Sequence, residues 1–312
     1  SIICVANGAL VLRPSRRTFT AALLLRNLAR AVSAPFVWDS EFWLALTDAA
    51  ALASMRCSAE PGALPHVGRW TRRQLAWCYA AAAFFKLNSS FLDARVSCAP
   101  IFGLSLLEYA PAAARWLAGR PAAARALAAA LPWSVIAAEA AIAALLAAGA
   151  RPWQRRGVAL ALVFHLLIAI TPPPNGVPTF SCVAASRLLL CVEDNARPAA
   201  AALGRVVEAA RGKRAALLLV GVGFALLARR DPAIATFLVL MAFDVLALCC
   251  AEQAAPHAAP PQLASTLRIA AAATYAFVLP ILGLQEIGSC TMFANVRLVQ
   301  GASNHVLGVP TG

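Results

Sequence analysis

Six ionisable side chains lie inside runs that are otherwise apolar: Asp48, Lys86, Glu139, His165, Arg187 and Asp244. A charge in such surroundings is expensive, so it is either held by a partner charge or used in chemistry. Lys86 stands out. It closes the run Tyr79-Ala-Ala-Ala-Ala-Phe-Phe-Lys86 in a chain that writes its positive charge as 25 Arg and 2 Lys. A desolvated ammonium can give up its proton and act as a base, which a guanidinium cannot. The competing reading is that Lys86 reaches to a membrane interface. His165, within Val163-Phe164-His165-Leu166-Leu167, is the second candidate, as a positioning group, a hydrogen-bond partner or an axial contact to a pigment metal. Arg187 is a third, set beyond the break Thr171-Pro-Pro-Pro-Asn-Gly-Val-Pro178.

Other chemistries lack their residues. Four histidines (His66, His165, His257 and His305) are too scattered for a multi-histidine metal site. The nine cysteines form no CxxC pair, and Cys249 adjoins Cys250, which suits neither a zinc site nor a disulfide framework. Cysteine here reads as a small hydrophobe. Gly221-Val-Gly223 sits in an apolar run without a third glycine, and no P-loop, GxSxG or HExxH occurs.

The elements that must position these groups are set by composition. Of 312 residues, 61% are hydrophobic and 13% charged, against roughly 45–50% and 25% in soluble domains, and mean hydropathy is +0.71. That excludes a soluble enzyme, a disordered chain and a disulfide scaffold. Apolar runs at about 37–55, 74–92, 98–111, 132–150, 157–171, 176–192, 214–230, 233–251 and 263–284 predict an all-α, polytopic transmembrane bundle of seven to nine spans. Residues 112–131, alanine with Arg115, Arg120, Arg125 and Trp116, predict a short interfacial helix. The alanine of the spans permits close packing, within the chain or against other membrane subunits.

The net charge of +13 comes from arginine clusters between apolar runs, which points to lipid headgroups and excludes nucleic acid as a partner. The clusters 151–156 and 197–214 are expected on one side of the membrane, with the proline break opposite. Residues 1–38 hold five arginines and no acid, and the chain begins at Ser1. Both features read as a processed, organellar protein.

At this point the residues resemble a known family. Tyr79 to Phe91, YAAAAFFKLNSSF, and residues 164–181, FHLLIAITPPPNGVPTFS, resemble the vitamin K-dependent gamma-carboxylase and the wider horizontally transferred transmembrane (HTTM) family; the tail MFANVR…GASNH is similar to endings found there. The resemblance implies a helical membrane bundle that binds a quinol. Lys86 stands at the place of the catalytic lysine, and His165 at that of the Phe-His motif. Asn175 stands at the place of the motif's asparagine. Trp38 to Trp43 replaces an early histidine of the carboxylase. The large lumenal domain that follows in the carboxylase is lacking as well, so glutamate carboxylation is not expected.

The resulting expectation is a basic segment 1–36, an HTTM-like domain 37–195, further spans 196–285 and a polar tail 286–312. Its leading function is an accessory subunit of a large photosynthetic or respiratory complex, a thylakoid membrane favoured. A quinone, lipid or pigment would be held by Lys86, His165, Asn175 and Arg187. The alternative is a quinol-acting enzyme with Lys86 as base and His165 as its catalytic partner. A transporter, suggested by the broken segment beside His165, ranks last because no inverted repeat accompanies it.

Overall fold

The computed structural model describes residues 16–33, 44–49, 51–53, 60–173, 176–192, 231–250, 270, 272–278, 281, 298–299, 302–303 and 305–306. Helices α1 (Arg16–Ser33), α2 (Glu60–Phe85), α3 (Ser89–Leu92), α4 (Cys98–Ser105), α5 (Pro111–Ala118), α6 (Pro121–Ala147), α7 (Arg151–Ile170), α8 (Pro178–Val192) and α9 (Pro232–Cys250) carry the fold. A 3₁₀ turn at Leu106–Tyr109 joins α4 to α5. A two-residue antiparallel ladder, β1 (Leu298–Val299) with β2 (Ala302–Ser303), adds the tail.

Proline sets where several of these helices begin. Pro111, Pro121 and Pro152 occupy the first turns of α5, α6 and α7, where a missing N–H costs nothing. Asp231 caps α9 by accepting from the amides of Ala233 and Ile234, each at 3.0 Å. Apolar residues at three- and four-residue spacing then turn one face of each helix inward. On α7 that face is Gly157, Val158, Ala161, Leu162, His165 and Ala169; on α6 it is Ile136, Glu139, Ile142, Ala143 and Leu146. Ile142, Ala143 and Leu146 of α6 and Val158, Ala161, Leu162 and Ala169 of α7 make one core with Leu75 and Tyr79 of α2, Leu188 of α8 and Phe237 of α9. Helix α2 packs on α6, α6 on α7, and α8 on α2, α7 and α9.

The helical architecture agrees with the sequence reading, and α6 to α9 cover the runs expected at 132–150, 157–171, 176–192 and 233–251. Two of the described helices, α6 and α7, are long and apolar enough to cross a membrane. Two expectations need correcting. The run at 98–111 is only α4 plus a 3₁₀ turn, ended by Pro111. The interfacial helix at 112–131 is split: α5 stops at Ala118, and the rest is the first part of α6, which runs on through Pro132. Pro121 disfavours helix at the residue before it, which places the break at Arg120. The run at 214–230 and the basic cluster 197–214 lie outside the described residues, as do most of 263–284 and residues 1–15.

Aromatic and basic side chains gather at both ends of the α6–α7 hairpin. Arg120 stacks over Trp116 at 4.6 Å and Arg156 over Trp153 at 4.4 Å. Tyr109 Oη donates to the Ile170 carbonyl at 2.8 Å, so an aromatic marks each end of α7, about 26 Å apart by the helical rise. Arg115, Arg120 and Arg125 thus belong to the proline-break end and Arg151, Arg155 and Arg156 to the other. The hairpin is basic at both ends and does not itself fix the sidedness.

The hairpin closes tightly at Gly157. A Cβ there would come within 2.9 Å of Leu145 Cβ and 3.1 Å of the Leu146 amide nitrogen. At Gly103 the added carbon would meet only the flexible end of Leu131. Gly157→Ala is therefore expected to destabilise the detergent-solubilised protein by about 1–3 kcal/mol and Gly103→Ala by clearly less, read as their thermal midpoints. Equal midpoints would show that the backbone contact is not restrictive.

Candidate functional site

Leu75, Cys78, Tyr79, Ala82 and Lys86 recur at helical spacing along one face of α2, and all line a cavity of about 470 Å³. Glu139 of α6, His165 of α7 and Arg187 of α8 line the same space. The remaining wall is mainly apolar, from α3, α4, the 3₁₀ turn and the Phe164 and Phe180 rings. Four of the six ionisable candidates, Lys86, Glu139, His165 and Arg187, are thus brought to one place. Asn175 lies outside the described residues, and so does the side chain of Asp244.

Lys86 follows the last residue of α2, and its side chain turns inward. Its Nζ donates to Glu139 Oε1 at 2.9 Å, with only 6% and 7% of the two side chains exposed. The ammonium also lies 5.8 Å from the centre of the Phe91 ring, where the ring face attracts a cation. Glu139 Oε2 has no hydrogen-bond partner among the described residues. Lys86 is therefore not an interfacial cation.

The second polar pair is Tyr79 with His165, Oη to Nε2 at 2.7 Å. With the phenol donating, the ring is the Nδ1–H tautomer, and Nδ1 has no partner among the described residues. Phe180 lies 5.2 Å from the imidazole. Ser181 Oγ donates to the His165 carbonyl at 2.9 Å, tying the start of α8 to α7 across the proline break. One of the two ring nitrogens is thus engaged by Tyr79. Among the described residues no group of three or more His, Cys, Asp or Glu is placed to hold a metal. The chemistry on offer is recognition of an amphiphile: apolar walls, a carboxylate oxygen and an imidazole nitrogen without partners among the described residues, and the charges of Lys86 and Arg187.

The other buried candidate has a different task. Asp48 receives Arg26 at 2.9 Å and Arg30 at 2.7 Å, fastening α1 to the helical residues 44–49. Beside α3, the exposed Arg95 fork grips Asp93 and holds its carboxyl down to about 2. That contact is complete above the ordinary carboxylate value near 4 and is lost only as pH falls through about 2.

Glu139 as the partner of Lys86 and Tyr79 as the partner of His165 were not assigned from sequence. Tyr79 stands seven residues before Lys86, two helical turns along one face, which is the available signal. Glu139 is the lone acid of its apolar run, which marks it as buried but names no partner. Compared with protein-family models, with curated proteins and with solved structures, the chain matches none.

Removing one half of a buried ion pair leaves a bare charge and costs about 3–5 kcal/mol. Lys86→Met and Glu139→Leu should therefore each lower stability, and the double replacement Lys86→Met with Glu139→Leu should recover most of the loss. Additive losses in chemical unfolding would mean that the pair does not form.

Proposed function

We propose that the chain is an HTTM-like integral membrane bundle whose cavity holds a quinol-class ligand, with Lys86 and Glu139 handling its proton. The observation that carries this reading is the buried Lys86–Glu139 pair opening onto a 470 Å³ apolar cavity, a size within the ordinary range for small-molecule sites. A para-quinol is apolar across its ring and tail and has hydroxyls at opposite ends. One hydroxyl suits Glu139 Oε2, and the other suits His165 Nδ1. If the Lys86 ammonium passes a proton to Glu139, the free amine takes the ligand hydroxyl's proton. The ligand is left as an oxyanion beside an ammonium, and the transferred proton rests on the Glu139 carboxyl.

Several features support a membrane setting. Helices α6 and α7 have spanning length and composition, and the aromatic residues at the ends of α7 are spaced near the roughly 30 Å of a hydrocarbon core. Helices α2, α8 and α9 pack on this pair, and the further apolar runs of the sequence support a bundle of seven to nine spans. The acid-free, arginine-rich residues 1–38 favour an organellar membrane, the thylakoid first.

A second reading has its own support. On α6, Ala126, Ala130, Ala137, Ala140 and Ala144 are exposed, and small residues are how helices associate in lipid. This face favours an accessory subunit of a larger membrane assembly, a role compatible with a retained ligand. In that case the protein drawn from its own membrane should migrate in native gels with a complex far larger than itself.

The ligand reading is tested with a short-chain para-quinol and quenching of tryptophan fluorescence in the detergent-solubilised chain. Saturable binding is expected, weakened about tenfold or more by Glu139→Gln, the scale of losing a hydrogen bond to a charged group. Lys86→Arg should keep affinity within about threefold while ending proton transfer. Quenching that never saturates in the wild-type chain would refute the reading.

A further inference from the structure

The end of α2 has an unusual closure. A helix leaves its last carbonyls without internal partners, and most chains satisfy them with a following glycine in the left-handed conformation. Here the chain continues Lys86-Leu87-Asn88, with no glycine. Asn88 supplies part of the cap: its Nδ2 donates to the Phe85 carbonyl at 2.7 Å and its amide to that of Lys86 at 2.8 Å. Its Oδ1 meanwhile accepts from the Phe91 amide at 2.8 Å and starts α3.

The Phe84 carbonyl accepts the Leu87 amide at 3.0 Å, and two further donors to this turn come from the far end of the sequence. His305 Nε2 lies 2.8 Å from the Phe84 carbonyl, and because a carbonyl only accepts, that nitrogen carries the proton. The Val306 amide donates to the Leu87 carbonyl at 2.9 Å. Asn88 and His305 form an isolated antiparallel bridge, and the imidazole lies on the Phe84 ring with centroids 4.5 Å apart. His305 is 5% exposed and Asn88 fully buried, so water is a poor substitute for these bonds. The two borrowed donors flank Lys86, one on each side of it.

We infer that His305 and Val306 form a clip that closes α2 from the carboxyl-terminal segment and so positions the Lys86 ammonium on Glu139. His305 does not line the cavity; it is a positioning residue and acts through the backbone that carries Lys86. Leu87 packs in one apolar cluster with Phe91 and Cys98, and Cys98 also lines the cavity. Loss of the clip therefore loosens this cluster first. The proposal rests on the ligand reading only where ligand affinity is measured.

The test labels the full detergent-solubilised chain with N-ethylmaleimide and reads each cysteine by peptide mass spectrometry, with no ligand present. His305→Ala should raise the labelling rate of Cys98 about fivefold, the factor corresponding to one ordinary net hydrogen bond. Cys182, which packs beside α9 through its contact with Ala233, should be unchanged. His305→Gln puts an amide donor near the Nε2 position and should restore the wild-type rate to within about twofold. Val306→Pro removes the second donor at an exposed residue, leaves every buried side chain in place and should act like His305→Ala. Short-chain quinol affinity should fall with His305→Ala, and fall no further when that change is added to Lys86→Met. Wild-type labelling of Cys98 in both the Ala and Pro variants overturns the clip, as does failure of the Gln rescue or an equal rise at Cys182. A wild-type chain that binds no quinol refutes the ligand reading and leaves the labelling result to judge the clip alone.

Discussion

The site depends on one ion pair in apolar surroundings. Lys86 and Glu139 face each other with almost no contact with water, and taking either charge out of water alone would be costly. Each is tolerable only because the other is 2.9 Å away. The constraint therefore falls on everything that fixes their separation. The packing of α2 on α6 sets the two backbones, Phe91 lies under the ammonium, and the turn after Phe85 fixes where the lysine stem begins. A pair this demanding is a poor device for stability, since apolar replacements of similar volume are often as stable. Its persistence is better explained by what the adjoining cavity does.

The second pair, Tyr79 with His165, repeats the principle without formal charge. One nitrogen of the imidazole is satisfied, and the other is left without a partner among the described residues. With Glu139 Oε2, that makes two polar atoms without partners on the wall of one apolar space. Buried polar atoms are ordinarily paired, so their coincidence in one cavity distinguishes this space from a packing gap.

Much of this arrangement was legible in the sequence. Charges inside apolar runs have few places to go, which is why Lys86, His165 and Arg187 could be singled out and why they converge. Helix identity was equally plain for α6 to α9, because alanine and leucine runs bounded by proline have one stable form in lipid. What could not be read was pairing across distance. Glu139 is 53 residues from Lys86, and hydropathy carries no information on which acid meets which base. Asp48 looked like the other charges in apolar runs, yet it serves as an anchor for Arg26 and Arg30. The tail was read as a polar segment, but its attachment to Phe84 joins residues 221 positions apart, which hydropathy does not reveal. The run expected from 132 went the other way: α6 begins at Pro121 and passes through Pro132.

The hydrogen bond from Tyr109 to Ile170 has a mechanical meaning. Tyr109 ends the 3₁₀ turn whose first residue, Leu106, lines the cavity, and Ile170 is the last residue of α7. One bond thus lashes a rim of the chamber to the foot of a long rod. Displacing the turn must carry α7 with it or give up a bond worth about 1 kcal/mol. The 3₁₀ turn and the foot of α7 are therefore coupled, and Leu106 keeps its place on the cavity wall with them.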